Sequence, residues 1–111
     1  MMHFEVYKDS SADYYFRLVG DFHRFILMGG PYIEKDSAIA DIEIAKTALC
    51  GTYQPEIRKT ETGEFFFELR DNYKRFIGNS CLFKTVQALH EKIQYIKPRI
   101  SGVPLFEKLL P

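Results

Sequence analysis

The residues whose types could carry chemistry are few in this chain, and their spacing does not organise them. His3, His23 and His90 have no partner at a fixed interval, and no helix would bring two metal ligands to one side. Cys50 and Cys81 stand 31 residues apart without a neighbouring Cys or His, so they read as two reduced thiols. Gly29-Gly30-Pro31 follows a strand-like segment, but no phosphate-cradling pattern surrounds it. Neither a nucleophile elbow nor a pair of carboxylates is visible in the order of residues. The sequence predicts no catalytic residue, no metal site and no cofactor; the chain reads as non-enzymatic.

What remains is contact chemistry. Tyr7, Tyr15 and Arg17 in the first half, and Arg58, Phe66, Glu68, Arg70 and Phe76 in the second, mix aromatic faces with charges. Such a set can stack, pair ions across strands or grip a partner. It does so only if one surface holds it, and that requires strands.

The elements come from a phrase written twice. "ADYYFRLVGDFHRFI" starts at Ala12 and "GEFFFELRDNYKRFI" at Gly63, 51 residues later. The same offset slides along the chain without a gap. It matches Glu5 with Glu56, Phe16 with Phe67, Leu18 with Leu69, Arg24-Phe25-Ile26 with Arg75-Phe76-Ile77, Ile42 with Ile93, and Gly51 with Gly102. A duplicated supersecondary unit stacks on its copy to bury an apolar face that neither hides alone. The expected division is repeat one over about 3–52, repeat two over about 53–102 and an apolar tail over 103–111, all in a single domain of 111 residues.

Each copy opens as a three-stranded meander. "FEVYK" alternates and is β-rich; "DSSAD" and "TETGE" are turn chemistry, with Gly63 free to take a positive φ. "YYFRLV" and "FFFELR" are second strands, closed by hairpin turns at Gly20-Asp21 and Asp71-Asn72; "RFILM" and "RFIGN" are third strands. Helices follow. Asp36 or Ser37 is the expected N-cap of the first, Ala38, Ile42, Ala45 and Leu49 its apolar stripe, and Gly51 a left-handed end. Thr85 is the expected N-cap of the second, with Leu89, Ile93 and Ile96 as its stripe. Pro98 should stop it and disfavour a helical Lys97.

These residues resemble the YegP-like family. The resemblance rests on "FEVYKD", on Asp13, Tyr14, Phe16, Arg17 and Leu18, and on Tyr32, Lys35, Ser37, Ala38 and Ile42. The second half keeps Gly63, Glu64, Phe65, Phe67, Leu69, Phe83 and Thr85. It departs at Val86, Ala88 and Leu89, and Asp21-Phe22 and Asn72-Tyr73 replace the Asn-Gly turn of the family. The resemblance implies a small bacterial protein, often a tandem duplicate, with no established activity and no catalytic residues to carry over. The implied fold is α+β: two tandem β-β-β-α(-β) repeats forming one antiparallel sheet, with two helices packed on one face. The segment after each helix crosses to the other copy, here residues 53–60 and part of 100–110.

Strand parity then sorts the side chains. Phe4, Val6, Tyr14, Phe16, Leu18, Ile26, Ile57, Phe65, Phe67, Leu69 and Ile77 form the face that should receive the helices. Glu5, Val19, Phe25, Leu27 and Glu56 join the eight contact candidates on the other. That face has two readings. It is a solvated surface stabilised by cross-strand pairs, or it is a binding surface for a protein partner or a second copy.

Fifteen acids balance fifteen bases, so no global field draws nucleic acid or membrane. Residues 1–52 hold five Lys/Arg against eight Asp/Glu, and residues 53–111 ten against seven. The basic excess near Arg58, Lys59, Arg70, Lys74 and Arg75, interleaved with Phe66, Tyr73 and Phe76, leaves single-stranded nucleic acid as the alternative partner. No RNA-recognition signature supports it. The N-terminal residues lack the pattern of a signal peptide and no apolar run could span a bilayer, so a cytoplasmic location is expected. The tail, with Val103, Leu105, Phe106, Leu109 and Leu110, is too apolar to fray; it should pack on its own sheet or cross to the other copy, with docking on a second chain as the alternative.

Overall fold

β-rich segments interrupted by turn chemistry fold as strands, and the two stretches with an apolar stripe fold as helices. A computed structural model describes residues 1–108. Strands β1 (His3–Lys8), β2 (Tyr14–Val19) and β3 (Phe25–Tyr32) precede helix α1 (Lys35–Cys50). Strands β4 (Glu56–Lys59), β5 (Phe65–Arg70) and β6 (Phe76–Ser80) precede helix α2 (Val86–Ile96), and β7 (Leu105–Lys108) follows. The strands form one sheet in the order β4-β5-β6-β3-β2-β1-β7.

The sheet is mixed, which corrects the expectation of a fully antiparallel one. β7 lies parallel to β1, with Phe4 opposite Leu105 and Tyr7 opposite Lys108. The reason is connectivity. The chain leaves α2 and reaches the far edge of the sheet, where it runs alongside β1. The crossing after each helix is present: β4 pairs with β5, and β7 pairs with β1. Residues 105–108 of the tail therefore belong to this sheet, and Val103 before them is buried; Leu109 and Leu110 lie outside the described residues.

The helices cover one face. Phe4, Phe16, Leu18, Phe67, Leu69 and Ile77 are buried there against Ala38, Ile42, Ala45 and Leu49 of α1 and Leu89, Ile93 and Ile96 of α2. Three parity assignments change. Leu27 pairs with Leu18 and belongs to the core, because a bulge lies between the Leu18 and Val19 pairings and leaves Ile26 and Leu27 both inward. Val19 is buried rather than solvated. Ile57, expected in the core, is exposed because β4 is an edge strand, exposed along its length.

The two meanders meet at β3 and β6, where Leu27 pairs with Ser80 and Met28 with Asn79. Close approach needs glycine here. A Cβ on Gly29 would stand 2.2 Å from the Phe16 ring, and one on Gly78 would stand 2.5 Å from the Met28 carbonyl oxygen.

Turns and caps show where local chemistry won. Gly63 has φ 87° as expected. The Gly20-Asp21 turn is longer than a two-residue hairpin: Gly20 N–H donates to the Arg24 carbonyl, with Phe22 and His23 at φ 60° and 58° between them. Thr85 caps α2, its hydroxyl accepting from Ala88 N–H at 3.0 Å. Asp36 and Ser37 do not cap α1; the helix begins at Lys35, with Glu34 at the cap position and no side-chain bond. Gly51 ends α1 in an extended rather than left-handed conformation. Lys97 keeps helical angles despite Pro98, and α2 stops one residue earlier.

Candidate functional site

The helix-free face is built by register. Read across the sheet, Glu56, Glu68, Asn79, Met28, Arg17, Glu5 and Phe106 occupy one continuous row. All seven strands contribute to it. Charges opposite one another in such a row interact directly.

On the β1–β2 side, Tyr7 and Tyr15 are a cross-strand pair, their rings stacked with centroids 5.6 Å apart. The Arg17 guanidinium lies between aromatic faces, 4.6 Å from the Tyr7 centroid and 5.0 Å from that of Phe25. Its Nε donates to Glu5 Oε1 at 2.6 Å, while His3 Nε2 meets Glu5 Oε2 at 2.7 Å. Glu5 is buried, a position in which an unpaired carboxylate would be unfavourable. Burial alone would raise its pKa; the bonds from His3 and Arg17 and the charges of Arg17 and Lys108 outweigh that and hold it below the ordinary value.

On the β4–β5 side, Glu68 is the hub. Arg70 Nε donates to it at 2.7 Å, and Arg58 stands at 3.5 Å while also bonding Glu56 at 2.8 Å. Burial pushes the Glu68 pKa up, but the two arginines bring it below its usual value. Arg70 also donates to the Lys74 carbonyl and sits 6.0 Å from the Phe76 centroid. Phe66 is half-buried opposite Arg58.

The eight candidates thus fall into two clusters rather than one. Between them, over β3 and β6, lies a shallow depression of about 330 Å³ whose lining includes Tyr15, Phe25, Met28, Phe76 and Asn79. Met28, Asn79 and Phe106 were not among the candidates. Met28 and Asn79 were hidden by the bulges that shift strand parity, and Phe106 by the parallel strand at the edge.

A second polar cluster lies beneath the helices. Asp41 on α1 is buried and accepts from Arg75 Nη2 at 2.6 Å and Nη1 at 3.1 Å, and from the Tyr32 hydroxyl at 2.6 Å. Arg75 also bonds Asp71. Burial and the bond to Asp41 raise the Tyr32 pKa; the bond to Asp41 and its charge raise that of Arg75. The sequence signal was an acid next to the apolar stripe of α1. The arrangement ties a helix to the β5–β6 connection and is fully paired. Among the described residues no group of three His, Cys, Asp or Glu could hold a metal, and no helix is long and apolar enough to cross a membrane.

No family model matches the sequence, and no curated protein does. Solved structures do. The solution NMR structure of yegP from E. coli, a protein of unknown function, has a TM-score of 0.86 and 23% identity, covering 99% of this chain and 95% of that one. This chain has the YegP fold. A UPF0339 protein from Shewanella oneidensis gives a TM-score of 0.87 and 18% identity, covering 97% and 92%. The YegP fold agrees with the resemblance carried by "FEVYKD" and the residues around Phe16.

Proposed function

We propose that the protein is a small non-enzymatic binding module whose contact surface is the helix-free face, and that its partner is a protein surface rather than a polyanion. The observation that carries this is the exposed aromatic set on a face no helix covers: Phe25 and Phe76, 46% and 40% exposed, line the central depression, and Phe106, 54% exposed, stands on the edge strand β7. Aromatics that the core does not need are the usual anchors of an interface. The contrary feature of the same face is its charge. Arg17, Arg58 and Arg70 are each paired with a glutamate of the face itself. Phosphate binding needs cations that are free to exchange counterions, so nucleic acid is the weaker reading. The 51-residue offset supports an inference of duplication, which would place Phe25 and Phe76 as counterparts flanking the β3–β6 seam.

The test is a photo-crosslinking residue at position 76, compared with one at Gln87, which is exposed on α2. Irradiation in cells should give adducts at 76 that disappear with Phe25→Ser and are absent at 87. An adduct at twice 13.0 kDa would identify a second copy. A nuclease-sensitive adduct, or equal yields at 76 and 87, would sink the proposal.

A further inference from the structure

A cleft of about 550 Å³ lies between α2 and the β2–β3 connection, on the helix side of the sheet. Arg24, Lys92, Phe22, Leu82 and Tyr95 are among its lining residues. Its meaning comes from the 51-residue offset. Arg24 matches Arg75, Lys92 matches Asp41, and Phe83 matches Tyr32. In the matched place, the Arg75 guanidinium grips the Asp41 carboxylate through two nitrogens, and Tyr32 supplies a third donor. In this cleft the arginine is kept, while the carboxylate has become a lysine and the hydroxyl has gone.

Among the described residues, neither the Arg24 nor the Lys92 side chain makes a hydrogen bond or an ion pair. The acid in the cleft, Asp21, is engaged by the N-terminal ammonium at 2.6 Å. Lys92 faces the Tyr95 ring at 5.4 Å, and the Asp21 carboxylate feels its charge without forming an ion pair with it. Two cations therefore share a cleft with exposed apolar walls: Phe22 is 91% exposed and Leu82 53%. The volume is that of a small-molecule site.

We propose that this cleft binds a small organic carboxylate carrying an apolar or aromatic body. The carboxylate occupies the place that Asp41 fills in the other half, held by Arg24 and Lys92. A fork-to-fork arginine contact is the geometry Arg75 already displays, and it favours a planar carboxylate. The apolar body lies against Phe22, Leu82 and Tyr95. This site lies on the helix side of the sheet and shares Phe25 and Cys81 with the edge of the central depression, but it does not rest on the contact-surface reading.

The experiment is an NMR titration of the full chain with benzoate, with benzyl alcohol and phenyl phosphate as comparators. Benzoate should give saturable shifts confined to the amides of residues 20–26, 81–83 and 92–95, and benzyl alcohol should give none that saturate. Lys92→Asp should weaken benzoate at least tenfold and raise the thermal midpoint, since it restores the internal pair. Lys92→Met, which keeps the stem and removes the charge, should weaken it without that gain in stability. Benzoate affinity unchanged in both variants, saturable binding of benzyl alcohol, or shifts centred on Phe76 and Asn79 would overturn the proposal. Tighter binding of phenyl phosphate than of benzoate at the same residues would overturn the carboxylate assignment.

Discussion

At the scale of single residues, paired charges in partly buried places decide the energetics. Asp41 is the clearest case. Its carboxylate is enclosed, and Arg75 and Tyr32 are the donors that make this tolerable. Arg75→Met would leave that charge without its cation and should lower stability by about 3 kcal/mol, at the lower end for a buried pair because the guanidinium is half exposed. Adding Asp41→Leu should recover part of the loss; urea midpoints of the two variants check both statements. Glu5 sets a pH dependence. Its folded pKa lies below the ordinary value near 4.5, so its pairing stabilises the protein above that value. The contribution falls as pH drops through the lowered folded pKa. Denaturation midpoints should therefore hold from neutral pH to about 4.5 and decline below it. Arg17→Ala should move the Glu5 carboxyl titration upward in NMR, since burial would act with one fewer opposing cation.

The strands and helices pose a different problem, which is fit. Phe16 and Phe67 are fully buried under the helices, and Phe16→Ala or Phe67→Ala should each cost about 3–5 kcal/mol. A denaturant midpoint unmoved by either would contradict the core described above. Gly78→Ala tests the seam. Its methyl group would meet backbone, not a side-chain tip, so β3 and β6 would have to separate, at about 1–3 kcal/mol or more. Deleting residues 103–111 should lower the thermal midpoint and leave the number of copies per particle in light scattering unchanged, because β7 pairs with β1 of the same chain and Val103 is buried in the same core. The meander order, the helix stripes and the Thr85 cap were legible because each depends on neighbours within a turn or a strand. The bulges were not. Moving one residue out of register reverses every later inside–outside assignment, and this is why Leu27 left its expected face for the core.

Across the whole molecule, balance of charge and the order of strands govern what can bind. Net charge is zero, and the arginines of the helix-free face are paired at home. Single-stranded oligonucleotide should therefore leave the amides of Arg58, Phe66 and Arg70 unshifted even at low salt. A salt-dependent shift there would reinstate nucleic acid as the partner. The sequence by itself determined the element types, their order, the apolar stripes and most of the core, because 3.6- and 2-residue periodicities are local properties. It also supplied the aromatic and charged residues of the open face. Only the tertiary structure decided that β7 runs parallel to β1, that Glu5 and Asp41 are buried with partners, and that Arg24 and Lys92 share a cleft without one. Those are facts about strand order and distance between segments far apart in the chain. They follow from how the elements pack together, which no local period records.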